Sequence, residues 1–187
     1  MEKVLYINAC VRPESRTDAL ARHLLSRLCG DVEEVKVFDE ALPLLDRKTL
    51  AHRDEAGRNG DFDDQVYAYA RQFRDADTVV VAAPYWDLMF PAQLKRYFEA
   101  VTVTGVTFFY TPEGYPQGLC KGKRLYYVTT AGGPITVNFG YDYVKAMAQG
   151  FYGIGDVRCI KAEFLDVIGA DVAGILEKAK QEIEDLL

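Results

Sequence analysis

The stretch Val79-Val-Val-Ala-Ala-Pro-Tyr-Trp-Asp-Leu-Met-Phe-Pro-Ala-Gln-Leu-Lys-Arg-Tyr-Phe98 decides the fold. Its first five residues form an unbroken apolar run, the pattern of a strand covered on both faces in a parallel sheet. The run breaks at Pro84 and presents the only tryptophan, Trp86, between Tyr85 and Asp87. A helix resumes near Pro91, where a missing N–H is tolerated because first-turn donors are unpaired anyway. A proline-aromatic loop at the carboxyl end of a buried strand is where open α/β sheets take their ligands. Its aromatic side chains suit a flat, conjugated ligand.

Outward from this stretch, strand and helix alternate along the chain. Strands are expected at Lys3–Ala9, Val35–Phe38, Asp77–Ala83, Lys123–Thr130 and Arg158–Val167. Between them fall helices at Ser15–Cys29 (stopped by Gly30), Phe62–Phe73 (capped by Asp61), Pro91–Thr104, Tyr141–Phe151 and Asp171–Leu187. The polar stretch from Asp39 to Gly60 is expected to hold only a turn or two of helix, around Lys48–Glu55. Parallel neighbours need crossover connections, and right-handed crossovers cover both faces of the sheet. The expectation is a single domain over residues 1–187, an α/β fold with a three-layer, doubly wound, five-stranded parallel sheet. Its flavodoxin-like order is 2-1-3-4-5, which places the ligand where strands 1 and 3 diverge. Three loops then matter: those after Ala9, Ala83 and Thr130.

Composition removes several alternatives. The chain has 187 residues, 49% of them hydrophobic, enough for one well-cored domain. A net charge of −6 leaves no basic stripe to face nucleic acid. Cys10, Cys29, Cys120 and Cys159 are scattered, without a C-x-x-C pair or histidines at ligand spacing. They read as reduced, mostly buried thiols of a cytoplasmic protein rather than disulfides or a metal site. His23 falls inside a helical pattern and reads as a packing or surface residue. No secretory leader or membrane-spanning run is evident.

The first loop, Cys10-Val-Arg-Pro-Glu-Ser-Arg-Thr17, sets two hydroxyls and two guanidiniums at a helix start. Helix N-termini offer unpaired N–H groups and a positive dipole end to phosphate, and Arg12 and Arg16 add charge-assisted contacts. Ser15 reads equally as an ordinary N-cap beside solvated arginines. The third loop, Thr129-Thr-Ala-Gly-Gly-Pro134, has two glycines just past a strand end. They would let a ligand lie against bare backbone, or simply make a tight turn. All three loops point to one crevice.

With these motifs in view, the chain resembles the flavodoxin-like FMN-dependent NAD(P)H:quinone oxidoreductases that include the bacterial azoreductases. The resemblance is tightest from Val79 to Gly133. Ala83-Pro-Tyr-Trp-Asp-Leu88 sits where that family has Ala-Pro-Met-Tyr-Asn-Phe, and Gln93-Leu-Lys-Arg-Tyr-Phe98 where it has Gln-Leu-Lys-Asn-Tyr-Phe. Gly105-Val-Thr-Phe-Phe-Tyr-Thr111, Gly118-Leu119 and Gly122-Lys123 follow its pattern. Thr130-Ala-Gly-Gly133 replaces Ser-Arg-Gly-Gly, and Ser15-Arg-Thr17 replaces Ser-Gln-Ser. Departures are Cys10 for serine, a first loop one residue shorter, Asp87 for asparagine and Ala131 for arginine.

The resemblance implies that Arg12, Ser15, Arg16 and Thr17 hold the FMN phosphate. It places Pro84, Tyr85, Trp86, Asp87 and Leu88 along one edge of the isoalloxazine, and Thr130, Ala131, Gly132 and Gly133 at its pyrimidine end. It further implies ping-pong hydride transfer from NADH or NADPH through FMN to quinones, azo dyes or nitroaromatics. The flavin carries that chemistry, so no catalytic side chain and no metal is expected. Trp86, Phe108 and Tyr110 would wall the substrate cavity, although Phe108 to Tyr110 reads equally as core packing. The family's homodimers carry the flavin at the subunit interface, and twelve tyrosines suit an interface. The segment from Gly105 to Gly118 exceeds an ordinary αβ connection and would cover a neighbouring subunit's site. The alternatives are an NAD(P)H-dependent FMN reductase using flavin as substrate and a flavodoxin-type electron carrier. A carrier's phosphate loop normally has a glycine that Ser15-Arg-Thr-Asp-Ala19 lacks. A response-regulator module would need acidic residues at the first and third strand ends, where Asn8-Ala-Cys10 and Pro84-Tyr85 stand instead.

Overall fold

A computed structural model describes all residues, 1–187. Five parallel strands form one sheet: β1 (Lys3–Asn8), β2 (Asp31–Lys36), β3 (Thr78–Ala82), β6 (Arg124–Thr130) and β7 (Asp156–Ala162). They lie in the order β2-β1-β3-β6-β7, which is 2-1-3-4-5 among the parallel strands. β4 (Phe108–Tyr110) and β5 (Pro116–Gly118) form a separate antiparallel hairpin. The helices are α1 (Arg16–Arg27), α2 (Arg47–Arg58), α3 (Ala68–Asp75), α4 (Ala92–Val101), α5 (Phe139–Met147) and α6 (Val172–Leu186).

Alternation along the strands divides the core between the two faces of the sheet. Leu5, Ile7, Val79 and Val81 pack against Phe73 of α3, Leu94 and Phe98 of α4, and Val144 of α5. Val4, Tyr6, Val80 and Ala82 pack against Leu20 and Leu24 of α1 and Ala179 and Ile183 of α6. Every residue of β3 is buried, as its unbroken apolar run requires.

Several boundaries differ from the sequence reading, each for a local reason. β2 starts at Asp31, before the expected Val35, because it is an edge strand whose first three residues are exposed and polar or isolated apolar. α2 runs twelve residues instead of a turn or two. Asp46 caps it by accepting from the Thr49 N–H at 2.8 Å, and only Ala56 is buried, so no apolar stripe announces it. The expected helix at Phe62 begins as a 3₁₀ turn, Gln65–Tyr67, capped by Asp64 rather than Asp61. α5 continues as a π turn, Ala148–Tyr152, ended by left-handed Gly153. β7 ends at Ala162 rather than Val167, since Phe164 turns the chain with φ 65°.

The hairpin was not foreseen as an element. It follows α4, which returns from the carboxyl edge of β3, and leads into Lys123, whose N–H bonds to the Asp77 carbonyl just before β3. The hairpin thus lies at the amino edge of the sheet, opposite the loops that the sequence singled out.

Candidate flavin cleft

Four loops at the carboxyl edge enclose a cavity of ≈ 300 Å³. From the loop after β1 come Arg12, Ser15, Arg16 and Thr17, and from the loop after β3 come Pro84, Tyr85 and Trp86. Thr130, Ala131 and Gly132 line it at the end of β6, and Leu165 and Asp166 after β7. β1 and β3 are neighbours in the sheet, while their chains continue to opposite faces, so a crevice opens between the loops. Ten of the residues singled out from sequence therefore meet in one place.

The first loop is held from below. Asn8, almost fully buried, accepts from the Cys10 N–H at 2.9 Å and donates to Asp18 and Glu34 at 3.0 and 2.9 Å. Tyr6 and Arg22 complete that network on Asp18. Ser15 is the N-cap of α1, accepting from the Asp18 N–H at 3.2 Å. The N–H groups of Arg16 and Thr17 find no acceptor within the chain, which leaves two donors facing an anion-sized need. The Thr17 hydroxyl is committed otherwise: it lies 2.6 Å from the Thr130 hydroxyl and ties the first loop to the third. Burial pushes the Cys10 thiol up to about 11, so the cleft contains a neutral thiol.

The second loop makes a two-residue turn. Trp86 and Met89 exchange N–H···O bonds at 2.9 and 2.7 Å, with Asp87 at φ 50° and Leu88 at φ 67° between them. Positive φ at both central residues is the primed hairpin turn that glycine and asparagine usually supply. A leucine there is strained, at a cost on the order of 1–3 kcal/mol, and such strain clusters at functional sites. The turn is pinned by the Phe139 N–H to the Leu88 carbonyl at 3.0 Å and by the Tyr85 hydroxyl to the Val137 carbonyl at 2.7 Å. Asp87 does not cap α4: Pro91 holds the N-cap position and no side chain bonds there. Asp87 and Leu88 are exposed beside the cleft without lining it.

Gly133 also lies just outside the lining, and a Cβ there would meet only open space. At Gly132 a Cβ would stand 2.3 Å from Asp166 Oδ2, so this glycine makes room for the chain's own carboxylate. Phe108 and Tyr110 line no part of this cavity. Phe108 is buried, stacked edge-on against Tyr110 and Phe151 with centroids 5.3 and 5.0 Å apart, whereas Tyr110 is exposed. Within one chain the packing reading of Phe108 holds, and distance along the sheet separates both residues from the cleft.

Leu165 and Asp166 were missed from sequence. They follow β7, the edge strand whose end was set too late, and no glycine or proline cluster marks their loop. All four cysteines are free; Cys29 is exposed and the others are partly buried. His23 sits 3.1 Å from Glu184 between α1 and α6 and belongs to helix packing. No group of His, Cys, Asp and Glu is arranged to hold a metal, and no helix is long and apolar enough to cross a membrane.

Comparison with known proteins agrees with the geometry. The family model described as "Flavodoxin-like fold" matches residues 2–187. The FMN-dependent NADH:quinone oxidoreductase 2 of Clostridium acetobutylicum is 37% identical over 203 residues, covering 99% of this chain and 100% of that protein. The FMN-dependent NADH:quinone oxidoreductase of Lachnoclostridium phytofermentans is 38% identical over 196 residues, covering 97% and 96%. Among solved structures, an FMN-dependent NADH-azoreductase from Bacillus anthracis in complex with FMN superposes with a TM-score of 0.83 at 26% identity, covering 100% of this chain and 97% of that one. Sheet order, cleft position and end-to-end similarity lead to one conclusion: the chain belongs to the flavodoxin-like family of FMN-dependent NADH:quinone oxidoreductases and azoreductases.

Proposed function

We propose that this chain is an FMN-dependent oxidoreductase that passes two electrons from NADH or NADPH to a quinone, azo or nitroaromatic acceptor. The observation that carries this reading is the convergence of phosphate-type donors and aromatic side chains on one cleft. The donor set fits FMN. Two N–H groups without acceptors and the exposed Arg12 suit a terminal phosphate, while Pro84, Tyr85 and Trp86 offer flat apolar surface to a ring. When bound, FMN supplies the hydride chemistry between nicotinamide and acceptor.

The chain's own part is to bind and orient. Arg12, Ser15, Arg16 and Thr17 would hold the phosphate, Thr17 through its N–H. Thr130, Ala131, Gly132 and Gly133 would address the pyrimidine end, and Tyr85 to Leu88 the opposite edge. The N–H groups of Asp87 and Leu88 bond to no acceptor in the chain and can donate to a ring heteroatom. The strained turn keeps them fixed before binding, which spares ordering cost on association.

The same reading takes residues 1–187 as one three-layer, doubly wound domain acting in the cytoplasm as a homodimer. The rim of the cleft exposes Trp86, Leu88, Val137, Phe139, Phe164 and Ile168, and the hairpin exposes Phe109, Tyr110 and Tyr115. This apolar exposure supports the dimer reading. A second copy over the rim would bring the exposed Tyr110 of its hairpin to the substrate cavity, with Phe108 packed behind it.

The deciding experiment is an absorbance spectrum of the purified protein, with FMN added, followed by NADH and NADPH titration with and without a quinone. Flavin bleached by nicotinamide and recoloured by quinone is the expected result. Protein that takes up no flavin, or flavin that neither nicotinamide reduces, overturns the reading. Light scattering at twice the chain mass tests the dimer.

A further inference from the structure

Arg16 does not stand free at the cleft. Its Nη1 donates to the Leu165 carbonyl and its Nη2 to Asp166 Oδ1, both at 2.7 Å. Asp166 is itself held, its N–H bonding to the Gly132 carbonyl at 3.0 Å. Its second carboxylate oxygen occupies the space a side chain on residue 132 would fill. The loop after β7 thus takes up one edge of a guanidinium from the loop after β1, with one backbone carbonyl and one carboxylate oxygen. The formal charges lining the cavity then cancel: Arg12 and Arg16 face Glu14 and Asp166.

We propose that Asp166 is an internal competitor for Arg16 that holds down the cleft's affinity for the FMN phosphate, leaving the flavin exchangeable. This rests on the flavin reading given above. Arginine carries five N–H donors in a planar fork, and two are already used. An incoming phosphate either displaces Asp166, losing the ion pair, or settles beside a carboxylate of like charge. Both routes weaken binding. The pair is 39% and 66% exposed at its two side chains, and exposed pairs are weak, so the exchange is reversible.

The test measures dissociation constants for FMN and for riboflavin, which lacks the phosphate, by flavin fluorescence. Asp166→Asn is expected to bind FMN about two- to tenfold more tightly, from removal of one screened charge near a phosphate. Riboflavin affinity is expected to stay unchanged. In an Arg16→Gln background the same substitution is expected to gain less than in the wild type. Weaker FMN binding by Asp166→Asn would make Asp166 a positioning residue for Arg16 and overturn the proposal. An equal change for riboflavin, or no change for either, overturns it as well. Wild-type protein that binds neither flavin sinks the flavin reading itself, and the proposal with it.

Discussion

The Thr17–Thr130 contact permits a test whose asymmetry comes from the structure. The two hydroxyl oxygens are 2.6 Å apart, a short O–H···O bond that joins the first turn of α1 to the end of β6. Thr17 is 2% exposed, whereas Thr130 is only half-buried. Valine replaces threonine with similar shape and the same β-branching, so helix and strand propensities change little. Thr17→Val leaves the Thr130 hydroxyl facing a methyl group but within reach of water, and should cost about 1 kcal/mol. Thr130→Val leaves the hydroxyl of the more deeply buried Thr17 without its partner, and should cost about 2 kcal/mol. The double variant removes both polar groups and should cost less than the sum, with a coupling on the order of 1–2 kcal/mol. Urea unfolding of the four proteins measures this cycle. FMN affinity, followed by fluorescence, should change by less than about threefold in Thr17→Val, because that hydroxyl is engaged with Thr130 and the N–H remains. Strictly additive stabilities would refute the hydrogen-bond reasoning. A tenfold loss of FMN affinity would show that the hydroxyl turns to the phosphate.

Further predictions address the remaining loops and the buried thiols. Arg12→Ala or Ser15→Ala should weaken FMN binding roughly ten- to a hundredfold, the loss of one charge-assisted contact at about 1.5–3 kcal/mol; Ser15→Ala should also cost about 1 kcal/mol of stability as a lost N-cap. Fluorescence titration and urea midpoints read these separately, and unchanged affinity in both variants removes the loop from the site. Asp87→Asn should raise the midpoint potential of bound FMN by only about 10–20 mV, since the carboxylate is exposed and water screens it; a fall in potential during spectroelectrochemical titration contradicts this. Burial pushes the Cys10 and Cys159 thiols up to about 11 and that of Cys120 up to about 12 from an ordinary 9.0. Above pH 9 the unfolded chain releases these protons while the folded chain keeps them, so stability should fall as pH rises from 9 toward 11. The slope contributed is at most about 1.4 kcal/mol per pH unit per thiol. Urea midpoints that stay level between about pH 8 and 10.5 in reducing buffer would refute it.

The sequence by itself determined the sheet and the edge on which its cleft opens. Val79 to Ala83 are apolar without interruption because β3 is the central strand, covered on both faces, and such a run has few other stable homes. Strand–helix alternation then restricts the order, and the divergence of β1 and β3 locates the crevice. Ser15 to Thr17 were legible for the same reason, because a helix start leaves local marks in residue type; Gly132 was marked as a glycine, but the space it leaves is taken by Asp166. Elements with weak cover were not legible. α2 buries only Ala56, β2 sits at an edge, and the strands of the hairpin are three residues long, too short for a period-2 pattern. The strained turn at Asp87 and Leu88 escaped because leucine does not adopt positive φ easily, and the pinning bonds from Phe139 and Tyr85 hold it. What the tertiary structure alone decided is which polar groups face one another. Thr17 meets Thr130 across 113 positions and Arg16 meets Asp166 across 150. Hydrophobic periodicity reports which face of an element is covered, whereas a hydrogen bond depends on distances set by how the elements pack, to within tenths of an ångström. Such pairings exist only once the sheet has brought its carboxyl-edge loops together.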